Sequence, residues 1–172
     1  MSRCIGEDDL NEARSRLRLL EACDGFEVTF FRDKYPALDG IIHITEPSPA
    51  LITELSNVLV AFQLKSKSRD RQDHDRSIDL SLSDAEWILS LPIPTVLFVA
   101  DLKRDDGIFI KWLNEERKER KLRMKPGGQP ATEPMRTFTA NELFTPVKFR
   151  KDAEEFAKQL LEEKLKYVTP VA

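Results

Sequence analysis

No apolar run in this chain reaches the ~18 residues of a membrane span, so no segment is expected to cross a bilayer. Cysteine is scarce. Cys4 and Cys23 have no histidines at metal-site spacing and read as free thiols of a reducing compartment. There is no Walker loop, no dinucleotide-binding glycine fingerprint, no zinc spacing and no internal repeat. The common phosphate-cradling loops and structural zinc sites therefore have no residues here. The chain also lacks a positive excess: its formal net charge is −3, so no global basic field announces a nucleic-acid partner. Met1 to Asp9 is acidic and without an apolar core, which excludes a secretory leader by pattern and makes a cytoplasmic location the expectation.

What is present suits one soluble domain over residues 1–172. Apolar residues make up 41% and charged residues 33%, which argues for a globular fold over disorder. Charge is segregated, with basic-rich stretches from Lys65 to Arg76 and from Lys111 to Lys125. A local basic face can bind phosphates on a mildly acidic protein.

The pattern of elements predicts an α/β sandwich around one mixed sheet. Leu10, Ala13, Leu17 and Leu20 recur at helical spacing and predict a first helix with that stripe against the sheet. Asp24-Gly25 ends it. Phe26 to Phe31 reads as a strand, and Asp33-Lys34-Tyr35-Pro36 as a turn. Gly40 to Ile44 and Asn57 to Lys65 are the next strands; the second is nearly all apolar, as a strand covered on both faces requires. Lys67 to Asp75 has no apolar anchor and predicts a mobile connection. Ile78, Leu80 and Leu82 alternate as in a short strand. Ser83 with Glu86 suggests a capping box opening a helix to about Leu91. Thr95 to Ala100 is a buried strand, and Asp105-Asp106-Gly107 turns the chain into Ile108–Trp112 as a hairpin. Arg136 to Thr139 fits an edge strand, and Arg150 to Tyr167 an amphipathic helix. Trp87 and Trp112 read as core residues.

Three polar residues stand where core strands do not need them. Asp39 opens one strand, and Gln63 and Lys65 sit two apart near the end of another. Alternation points Gln63 and Lys65 the same way. On neighbouring strands, a carboxylate, an amide oxygen and an ammonium would meet in one patch. Oxygen donors suit a hard divalent cation, and a nearby ammonium suits a phosphate. Each placement also has an ordinary reading. Asp-Gly is a common turn pair, a lysine at a strand end can simply reach water, and charge runs are usually solvated faces.

The spacing of Asp39 and Gln63-Leu64-Lys65 resembles the PD-(D/E)XK motif of the restriction-endonuclease-like superfamily, in the Q-x-K form of Mrr-like enzymes. Leu38–Ile42, Phe62–Ser66, Ile93–Val99 and Ile110–Trp112 together resemble a widespread prokaryotic domain of that superfamily found in defence-type proteins. The likeness covers about Leu10 to Trp112, with the C-terminal helix compatible. It implies a restriction-endonuclease-like sandwich, a central mixed β-sheet flanked by helices. It implies a Mg²⁺- or Mn²⁺-dependent nuclease acting on DNA, with Asp39, Gln63 and Lys65 catalytic and Asp39 and Gln63 on the metal. Where the pattern has an acidic residue four after the Asp, this chain has His43, a better ligand for Mn²⁺ or softer ions than for Mg²⁺. Relatives often add a glutamate from the first helix. Glu12 takes that place by its position, although Glu21 lies closer to the predicted sheet-facing stripe. Lys67, Arg69 and Arg71 would line the nucleic acid. A homodimer or a companion defence protein are the partners to expect. The alternatives are an inactive nuclease-fold module that binds nucleic acid, or a protein-interaction domain presenting Asn114 to Lys125.

Overall fold

The structure, a computed structural model, describes residues 6–35, 38–45, 57–67, 76–102, 107–115 and 135–168. The chain is mixed α/β. A helix, Glu7–Ala22 (α1), precedes three antiparallel strands, Glu27–Tyr35 (β1), Leu38–Thr45 (β2) and Asn57–Lys67 (β3). Ser77–Ser81 (β4) and Leu82–Ser90 (α2) then carry the chain across to Thr95–Asp101 (β5), which runs parallel to β3. Ile108–Trp112 (β6) returns antiparallel to β5. Met135–Thr139 (β7) pairs with β4 as a separate two-stranded sheet. Glu142–Leu143 (β8) caps the edge of β6, and Pro146–Val168 (α3) ends the described chain. The main sheet has the order β1-β2-β3-β5-β6-β8. Among the described residues, no helix is long and apolar enough to cross a membrane.

The two faces of this sheet have separate cores. One holds Ile42, Val60, Phe62, Val96, Phe98 and Ile110 under α1 and α3. Aromatic rings run through it in contact: Phe30 on Phe62 at 5.4 Å, Phe62 on Phe98 at 5.8 Å, and Trp112 stacked on Phe149 at 5.1 Å between centroids. The other face holds Ala61, Leu97, Val99 and Phe109 under α2 and the β4–β7 pair. β5 is buried on both sides, which explains its unbroken apolar run.

Several local expectations are corrected. α1 does not lay Leu10, Ala13, Leu17 and Leu20 on the sheet; its buried line is Asn11, Ser15 and Leu19. Small Ser15 lets the helix come close, and its hydroxyl is satisfied by the Glu12 carbonyl at 2.9 Å. β1 continues as strand to Tyr35 where a turn was expected, with its register against β2 shifted between Phe30 and Tyr35. The cap of α2 is Ser81, whose Oγ accepts from the Asp84 N–H at 3.1 Å; Ser83 lies inside the helix. Trp112 is buried, but Trp87 is 39% exposed. The expected segments 46–55, 68–75, 105–106 and 116–130 lie outside the described residues.

Cys23 is a free thiol at the end of α1, buried in the core under that helix. Burial disfavours the thiolate and pushes its pKa up to about 12. Folded protein should therefore leave Cys23 unmodified by iodoacetamide at neutral pH and label it only in denaturant. Rapid labelling of Cys23 under native conditions, read by peptide mass, would contradict this packing.

Candidate functional site

Asp39 stands where β2 begins to leave its ladder with β3. The paired register runs from Thr45↔Asn57 to Gly40↔Phe62. One residue further, the strand's alternation breaks. Leu38 joins the core on the α2 face, whereas Ile42 and Ile44 lie in the core under α1. At this break the Asp39 carboxylate takes over a ladder bond, accepting from the Leu64 N–H through Oδ2 at 2.7 Å. The carboxylate is thus pinned to β3 at the residue between Gln63 and Lys65. Its second oxygen makes no bond to another described residue.

Beside Asp39, Gly40 lets the β1 backbone and the Phe62 ring pack close against β2. A Cβ built there would lie 2.2 Å from the Thr29 carbonyl oxygen and 2.6 Å from the Phe62 ring. The glycine is therefore a close-packing requirement inside a strand; the Asp-Gly pair is no turn.

Gln63 and Lys65 point to the α2 side of the sheet, opposite Phe62 and next to Leu97 and Val99 of β5. Two strand residues separate their Cα atoms by ~6.6 Å. Gln63 is only 4% exposed, and its Oε1 has no hydrogen-bond donor among the described residues. A buried acceptor without a donor costs on the order of 1–3 kcal/mol unless something else satisfies it. Lys65 is exposed and makes no ion pair with a described residue.

The structure adds neighbours that spacing did not single out. At the carboxyl end of β5, Asp101 stands beside Lys67 in register. Its carbonyl accepts from Arg18 Nη1 of α1 at 2.7 Å, and its carboxylate lies 3.9 Å from Arg76 Nη2. The Arg76 guanidinium stacks on Phe109, 3.3 Å from the ring centroid. Arg18, Lys67 and Arg76 thus gather at the end of the two parallel strands, where the Gln63–Lys65 segment also ends. The signal in sequence was a lone Asp closing an otherwise apolar strand. The arginines carried none, because they arrive from distant segments.

Other expected site residues fall elsewhere. His43 is on β2 but four residues from Asp39, ~13 Å along the strand. Its ring nitrogens face Glu27 Oε2 at 3.3 Å and Asn57 Oδ1 at 3.2 Å. That distance keeps it off any ion held by Asp39. Glu12 is exposed on α1, on the other face of the sheet from Gln63, and pairs with Arg16 at 2.7 Å. Glu21 is likewise exposed. Arg69 and Arg71 lie outside the described residues. Among the described residues, no three His, Cys, Asp or Glu side chains form a cluster fit for a metal ion.

Comparison with protein-family models, with curated proteins and with solved structures found no match.

Proposed function

We propose that this chain is a restriction-endonuclease-like domain that hydrolyses phosphodiester bonds, with DNA as substrate and a divalent cation as cofactor. The observation that carries the reading is the pairing of the Asp39 carboxylate with the strand bearing Gln63 and Lys65, beside a buried Gln63 oxygen that lacks a donor. The donor set fits a hard cation: Asp39 Oδ1 and Gln63 Oε1 would hold Mg²⁺ or Mn²⁺, both being oxygen donors. A bound cation of this kind lowers the pKa of a water and offsets charge on the phosphate. Lys65, exposed and without an ion pair among the described residues, reaches the phosphate oxygens as negative charge builds there. Attack of water on phosphorus breaks one P–O ester bond and leaves a phosphate monoester and a hydroxyl. Arg18, Lys67 and Arg76 would hold the strand's backbone at the edge of the site. A setting in defence, and a cytoplasmic one, belongs to the same proposal.

One observation favours a second reading, a nucleic-acid-binding module without catalysis. Among the described residues, Asp39 alone brings a carboxylate to the Gln63–Lys65 segment, and one of its oxygens is already spent on the Leu64 N–H. Nicking of supercoiled plasmid in Mg²⁺ and in Mn²⁺, by wild type and Asp39→Ala, separates the two. Cleavage by wild type alone is the expected result. Salt-sensitive DNA binding with no metal-dependent nicking would move the assignment to the binding module. Absence of both would end the nucleic-acid reading.

A further inference from the structure

We infer that α1 is a self-association surface, pairing in parallel with α1 of a second copy of this chain. This inference is independent of the nuclease reading. Leu10, Leu17 and Leu20 are 43%, 57% and 46% exposed, and Ala13 between them is exposed as well. At 3.6 residues per turn, the centre of this stripe lies about 180° round the helix from Ser15, the middle of the buried line. The leucines therefore face directly away from the sheet. With Ala13 they are spaced three, four and three residues apart, the a-d-a-d seam of a coiled coil.

The charges beside the seam name the occupant. Asp9 and Arg16 fall at g positions; Arg14 and Glu21 fall at e positions. In a parallel pair, g of one helix meets e of the next heptad on the other. Asp9 then meets Arg14 of the second copy, and Arg16 meets Glu21, twice each by symmetry. An antiparallel pair centred on the same seam faces e with e and g with g, which brings Arg14 to Arg14 and Arg16 to Arg16 as well as Arg14 to Glu21 and Asp9 to Arg16; the g–e pairs of the parallel arrangement hold no like charges. Asp9, Arg14 and Glu21 make no side-chain ion pair with a described residue, so they are available. Arg16 holds Glu12 and lies 4.9 Å over Phe30 of β1, which draws its guanidinium towards the sheet, so the Asp9–Arg14 pair carries most of the charge complementarity. The helix is held in shape by the sheet, so pairing orders little new chain.

The test is sedimentation velocity on the full chain over a concentration series. Wild type should dimerise. Leu17→Asp, at an exposed position, should leave the far-ultraviolet circular dichroism unchanged and raise the dimer dissociation constant at least about 30-fold. Asp9→Lys and Arg14→Glu should each weaken the dimer, and the double variant should recover most of the loss. In a Cys4→Ser background, Leu17→Cys should oxidise to a covalent dimer through position 17 of both copies. A monomer at every soluble concentration, or a dimer indifferent to Leu17→Asp, overturns the proposal. So does crosslinking of Leu17→Cys only to Ala13→Cys chains, which would mean antiparallel pairing.

Discussion

Lys65→Ala should leave Mg²⁺ binding nearly unchanged while lowering plasmid nicking by roughly 10²–10³-fold, the usual effect of deleting one transition-state donor. The reason lies in where Lys65 sits. Its ammonium is exposed at the strand end and touches no described carboxylate, so its loss removes no ion pair from the fold. It offers nothing to a cation. In the proposed reaction it would supply positive charge at the phosphate, which matters most when the negative charge there peaks. Asp39→Ala should differ by losing metal binding and cleavage together. Gln63→Glu should tighten Mg²⁺ binding, because a second carboxylate replaces a neutral amide oxygen. Calorimetry gives the metal affinities, and single-turnover nicking gives the rate. A Lys65→Ala rate equal to wild type, with wild type active, would take Lys65 out of the mechanism.

Gly40→Ala should be the most damaging single methyl in the molecule, costing on the order of 3 kcal/mol or more. The new Cβ meets backbone on one side and the Phe62 ring on the other. The Thr29 carbonyl cannot yield without opening the β1–β2 ladder, where Thr29 is partnered by Ile41. Phe62 cannot yield without disturbing its contacts to Phe30 and Phe98. At this chain length the loss corresponds to a drop of about 6–12 °C in melting temperature. Gly25→Ala is the control. Its φ of +90° disfavours a side chain, but nothing lies within 4 Å of an added Cβ, so only a backbone cost of about 1–2 kcal/mol remains. If Gly40→Ala melts with wild type, β1, β2 and Phe62 do not pack in this register. Because Asp39 is the adjacent residue, a folded Gly40→Ala protein should also lose metal binding.

The candidate site was legible in part, and the division follows distance along the chain. Asp39, Gln63 and Lys65 stood out because polar residues interrupted apolar strand runs. The Q-x-K spacing placed two side chains on one face by alternation alone. The contact of Asp39 with the Leu64 N–H was not legible, since it depends on a break in β2 that no local preference encodes. His43 illustrates the limit from the other side. Four residues along a strand is a long way in space, so a motif position near Asp39 in sequence is far from it in the fold. Arg18 and Arg76 were invisible as site neighbours because α1 and β4 reach the end of β5 only through tertiary packing.

By itself the sequence determined most of the elements and the α/β class. The apolar runs at 57–65 and 95–100 were legible as strands, although Leu59 of the first is exposed, and the period of α3 as a helix with one apolar side. It also determined that α1 is two-faced. Tertiary structure alone decided which face of α1 is inside, that β3 and β5 lie side by side in parallel, and that β4 pairs with β7 away from the main sheet. The physical reason is the same in each case. Periodicity is a property of neighbouring residues and sets the shape of an element. Burial and pairing are choices among distant surfaces, and they follow which of those surfaces can approach: Ser15 and Gly40 permit close contact where a larger side chain would hold the layers apart.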